Sequence, residues 1–147
     1  MTIDIYIQTE TKNPAVKKTN KARWMIVAQG QGIETVQRNG QIVVNNATPK
    51  AAALIALGTA LSRFNKPAVI KLYISDDFVR NMLITNMLSR WERNGWHKIR
   101  QNADLRYENQ WRDIKKLMSN HAISIASAEE LENKYQKEME WRMTNVG

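Results

Sequence analysis

The chain has 147 residues, 43% hydrophobic and 24% charged, enough for one domain with a sizeable core and too few for two ordinary ones. It has no cysteine, which excludes disulfides and thiolate metal sites, and its longest apolar run, 51–57, is far short of the ~20 residues that cross a bilayer. The formal charge is +8; residues 126–147 carry −2, which leaves +10 on the rest, a balance that favours a polyanion such as nucleic acid or a protein with an acidic surface.

In chain order, "IDIYIQT" (3–9) sets Ile3, Ile5 and Ile7 against Asp4, Tyr6 and Gln8, the two-residue period of a strand. This alternation is unlike a secretory leader, so the expected location is cytoplasmic. "TETKNPAVKKTNK" (9–21) is polar, holds a proline and reads as a loop. "ARWMIVAQ" (22–29) reads as a second strand, closed by "GQG" (30–32). Those glycines lack the strand–loop–helix context of a phosphate loop and read as a turn. "IETVQRNGQIVV" (33–44) carries Asn39-Gly40 between two β-prone runs, a hairpin-type signal, and three antiparallel strands are inferred up to this point.

"ATPKAAALIALGTALSRF" (47–64) predicts a helix, with Thr48 as cap and Pro49 at the first helical position. Its Leu54, Leu57 and Leu61, and its Ala53, Ala56 and Ala60, recur at helical spacing. Pro67 separates it from a strand, "AVIKLYI" (68–74). Residues 75–95 predict one helix, capped by Ser75 with Asp76 and Asp77 in its first turn, and ended by Gly95. "YENQWRDIKKLMS" (107–119) puts Trp111, Ile114, Leu117 and Met118 on one helical face. "HAISIA" (121–126) is a short strand, and 127–143 a closing helix with Ser127 and Glu130 spaced as a capping box. The order βββ-α-β-α-α-β-α predicts a single α/β domain over 1–147, with a five-stranded mixed sheet and helices on both faces.

His97 and His121 are far apart and lack metal-type neighbours, so no zinc site is predicted. The densest chemical feature is 89–111, where Trp91, Trp96 and Trp111 alternate with basic residues. Trp111 reads as core. Arg90, Arg93, Lys98 and Arg100 suit phosphates, while Trp91 and Trp96 fit either a stack against sugar and base or inward packing.

The element order, "IDIYIQTETKNP", "ALSRFNKP", "WERNGW" and "ENQWRDIKKLMSNHAISI" together resemble the ribonuclease H family over about 3–140. The likeness is to a divergent group of short ribonuclease-H-like proteins from bacterial mobile elements and phages. It implies the ribonuclease H fold and, in active members, hydrolysis of the RNA strand of an RNA–DNA hybrid. That chemistry uses two Mg²⁺ ions held by four carboxylates. The resemblance places the four positions on Gln8, Lys50, Ser75 and Lys137, none of them acidic. With those acids replaced, the expectation is a pseudoenzyme without resident metal that binds an RNA–DNA hybrid, RNA or a nucleoprotein through Arg90, Trp91, Arg93, Trp96, Lys98 and Arg100. Two alternatives accompany this expectation. One is a phage or mobile-element protein that binds and inhibits a host protein such as a defence nuclease. The other is a Mg²⁺-dependent nuclease with a rebuilt acid site of Glu10, Asp76 and Glu138.

Overall fold

The computed structural model describes residues 2–9, 18–29, 36–97 and 107–131. Its elements are β1 (Thr2–Thr9), β2 (Lys18–Gln29), β3 (Val36–Ala47), α1 (Pro49–Leu61), β4 (Val69–Ile74), α2 (Asp77–Ile84), α3 (Met87–Arg93), α4 (Glu108–Met118), β5 (Ala122–Ile125) and the short α5 (Ala128–Glu130). The five strands form one mixed sheet in the order β3-β2-β1-β4-β5. β1 runs antiparallel to β2 and parallel to β4; β2 and β3 are antiparallel, β4 and β5 parallel. This is the α/β architecture expected from the sequence.

The alternation in β1 decides what each face of the sheet packs. Ile3, Ile5 and Ile7 join Ile70, Leu72 and Ile74 of β4 in the larger core, beneath the leucines and alanines of α1. α1 is buried on both sides because β1 to β3 lie under it and α4 over it. Small alanines permit that close approach. Thr48 caps α1, accepting from the Ala51 N–H, with Pro49 next, as predicted. On the opposite face Tyr6 and Tyr73 stack with centroids 4.7 Å apart, covered with Met25, Val27 and Leu131. Leu131 arrives there because the Ser127–Glu130 capping box starts α5, while Glu130 also pairs with Lys71 of β4. The rest of the predicted closing helix lies outside the described residues.

Three local expectations are corrected. The loop assigned to 9–21 gives way to strand at Lys18. Asn39-Gly40 is not a turn: it lies inside β3, and Gly40 pairs with Trp24 of β2. The Trp24 indole lies over Gly40 so closely that a Cβ there would meet the ring at 2.6 Å. The glycine serves a close approach between strands rather than a hairpin. Finally, the helix predicted over 75–95 is two helices. Asn86 takes a left-handed conformation (φ 58°), which asparagine tolerates, and the Thr85 hydroxyl donates to the Asn81 carbonyl. Gly95 (φ 68°) ends α3, and the Trp96 N–H turns back to the Trp91 carbonyl at 2.7 Å.

Candidate nucleic-acid interface

β1 and β4 run parallel and end side by side. The Ser75 N–H donates to the Ile7 carbonyl at 3.0 Å, and the Thr9 N–H donates to the Ser75 hydroxyl at 3.2 Å. Gln8, half-buried, lies between those two β1 residues. Ser75 therefore spends its hydroxyl on the neighbouring strand and does not cap the next helix. Asp76 does, accepting from the Val79 N–H at 2.9 Å. Asp77 pairs with Arg80, whose buried guanidinium also donates to the Ile74 carbonyl and locks α2 onto the end of β4.

Lys50 reaches this corner from the first turn of α1. Its ammonium stands 4.0 Å from the centre of the Phe78 ring, in the first turn of α2. Burial pushes the Asp76 carboxyl above the usual range; the Val79 N–H and the Lys50 charge pull it back, while Asp77 adds to the rise. Thus Gln8 and Ser75 sit on the adjoining ends of β1 and β4, while Lys50 meets Phe78 and lies close enough to Asp76 for its charge to be felt there. Lys137 lies outside the described residues, as do Glu10 and Glu138. Among the described residues, no group of three or more His, Asp or Glu side chains is placed to hold a metal ion.

The basic stretch divides into surface and core. Arg90 and Arg93 are exposed on the last turn of α3, and Arg90 rests on the sulfur of Met87 at 3.3 Å. Trp91 is only 5% exposed and packs against Trp111 with centroids 5.2 Å apart. Trp96 is 7% exposed, under the Arg112 guanidinium. Both indoles are removed from the expected ligand-stacking role because burying them completes the contact between α3 and α4. Lys98 and Arg100 lie outside the described residues.

Phe78 is the feature that sequence reading missed. No role is assigned to it from the sequence, yet it is 36% exposed. Its place in the first turn of α2 was the available signal, because side chains there lean back toward the helix N-terminus and here toward the strand ends. No described helix is long and apolar enough to cross a membrane.

Against solved structures, the chain is similar to the crystal structure of LC9-RNase H1, a type 1 RNase H with the type 2 active-site motif. The TM-score is 0.69 at 13% identity, over 84% of this chain and 61% of that one. The fold is that of ribonuclease H. RNase H1 from the halophilic archaeon Halobacterium salinarum NRC-1 shares the ribonuclease H fold at a TM-score of 0.55 and 15% identity, over 87% of each chain. The foamy viral protease-reverse transcriptase in complex with an RNA/DNA hybrid matches at a TM-score of 0.65 and 15% identity, over 91% of this chain and 18% of that one. In sequence, the ribonuclease H of Nitratidesulfovibrio vulgaris strain DP4 is 24% identical over 102 residues, 69% of this chain. The chain spans 63% of that relative's length. The ribonuclease H of the Miyazaki F strain is 24% identical over 117 residues, 80% of this chain and 72% of that one. No family model matches the chain.

Proposed function

We propose that this chain is a ribonuclease-H-like protein that binds nucleic acid without cutting it. The observation that carries this reading is the chemistry of the corner where β1 and β4 end. Hard divalent ions need anionic oxygen ligands. The positions that the resemblance assigns to metal ligands carry, among the described residues, an amide (Gln8), an ammonium (Lys50) and a hydroxyl already accepting a backbone N–H (Ser75), and the neighbouring Asp76 carboxylate is engaged in capping α2. At ~4 Å and an effective dielectric of ~20, a unit charge of the wrong sign costs about 4 kcal/mol. These residues do not fit a two-metal site, and no hydrolytic step follows from them.

They do suit a phosphate. Lys50 brings a cation where an anionic backbone would pass, and Lys137 is the second family position that carries one. Arg90 and Arg93 add an exposed pair on α3, followed in sequence by Lys98 and Arg100. The structural relatives include a protein captured with an RNA/DNA hybrid, which supports a hybrid, or RNA of similar shape, as the ligand. The +8 charge supplies long-range attraction.

The test is fluorescence anisotropy of labelled hybrid, duplex and single strands over a salt series. Expected is binding that weakens steeply with salt. The Arg90→Ala/Arg93→Ala double variant should weaken binding to all sequences alike and flatten the salt slope by about one unit for each lost phosphate contact. Absence of binding at low salt, with a complex formed only with a host protein such as a defence nuclease, would overturn the reading in favour of the inhibitor alternative.

A further inference from the structure

Phosphate contacts hold nucleic acid, but they leave open what the site does with a base. Two features of the corner answer that. First, the described aromatic side chains are turned inward almost throughout. Trp24, Trp91, Trp96, Trp111, Tyr6 and Tyr73 are buried, and Phe64 and Tyr107 half-buried. Among the described residues Phe78 is the one exposed aromatic side chain, beside Val43, Val69 and Ile84 as the other exposed large hydrophobics. Second, the face of that ring carries the Lys50 ammonium at 4.0 Å. An exposed ring and a cation in contact are the two halves of a nucleotide seat: a π surface for a base and a charge for its phosphate.

We infer that the Lys50–Phe78 pair is a seat for an unpaired nucleobase, with the base stacking on the ring and Lys50 moving to the adjoining phosphate. This rests on the nucleic-acid reading above and narrows it to a strand with a free base: a single strand, an end or a bulge. In the free protein the ammonium occupies the ring and keeps it from lying bare in water. An exposed cation–π contact is weak, whereas a charge-assisted bond to phosphate together with base stacking is stronger, so the exchange runs toward the bound state. A continuous duplex gains less, because its bases are already stacked on one another. The neighbours leave room for the exchange: Asp76 is committed to the Val79 N–H and Ser75 to Thr9, so neither needs to move.

The experiment measures anisotropy with the full chain and three fluorescein-labelled probes at low salt. These are a short oligothymidylate, an abasic strand of the same length and a blunt duplex. Phe78→Ala should weaken oligothymidylate binding by ~5- to 150-fold, the span of one lost base stack, and leave the abasic strand and duplex unchanged. Phe78→Leu, which keeps apolar bulk without a π face, should behave like Phe78→Ala, and Phe78→Trp should restore or tighten binding. Lys50→Ala should weaken all three probes. Phe78 variants that leave oligothymidylate unchanged, or weaken all probes equally, overturn the base seat while the binding reading stands. Failure of the unaltered protein to bind any probe overturns the binding reading and the seat together.

Discussion

The hydroxyl of Ser75 accepts a hydrogen bond from the Thr9 N–H across 3.2 Å, joining the end of β4 to the end of β1. Ser75→Ala should therefore destabilise the protein by about 0.5–1.5 kcal/mol, measured by chemical denaturation. Ser75→Asp keeps an acceptor for Thr9, yet should not confer hybrid cleavage, because one added carboxylate does not supply the set of anionic oxygens that two Mg²⁺ ions need.

Asp76 yields a pH prediction. Its carboxyl is pushed up by burial, so folding favours the protonated form. The stability from that shift is present below the unfolded-state pKa and is lost as pH rises through the folded one. Asp76→Asn keeps a good cap and removes the titration. Its melting temperature relative to the unaltered protein should be higher at neutral pH than in acid. Asp76→Ala should lose the cap and cost about 1 kcal/mol at either pH.

Two glycines should respond oppositely to alanine. At Gly40 a Cβ would stand 2.6 Å from the Trp24 ring, so Gly40→Ala should cost about 1–3 kcal/mol. At Gly58, inside α1, a Cβ meets nothing within 4 Å. Gly58→Ala should stabilise by about 0.5–1 kcal/mol through helix propensity, read by thermal or denaturant melts.

The basic stretch should separate stability from binding. Trp91→Ala opens the contact with Trp111 and should cost about 3–5 kcal/mol. Arg90→Ala and Arg93→Ala, both at exposed positions, should stay within about 0.5 kcal/mol in stability while weakening nucleic-acid binding. Denaturant midpoints and anisotropy on the same samples check this.

What was legible in the sequence was what local chemistry decides. The alternation in 3–9, the Thr48-Pro49 start of α1 and the Ser127/Glu130 box all act within a few residues, and each is found as read. Asn39-Gly40 misled because the deciding partner, Trp24, sits on another strand. The break at Asn86 was hidden because apolar spacing continues across it, from Leu83 to Met87 and Leu88. Burial of Trp91 depends on Trp111, twenty residues on and in another helix. The likeness to ribonuclease H drew attention to Gln8, Lys50 and Ser75, but the meeting of Lys50 with Phe78 joins two helices and has no local signature.

The most direct test incubates a labelled RNA–DNA hybrid with the protein in Mg²⁺ and in Mn²⁺, then resolves bound complex and strand length from the same reaction. The expected result is a salt-sensitive complex that holds full-length RNA. Divalent-dependent shortening of the RNA, abolished by Asp76→Asn, would contradict it and establish a rebuilt acid site.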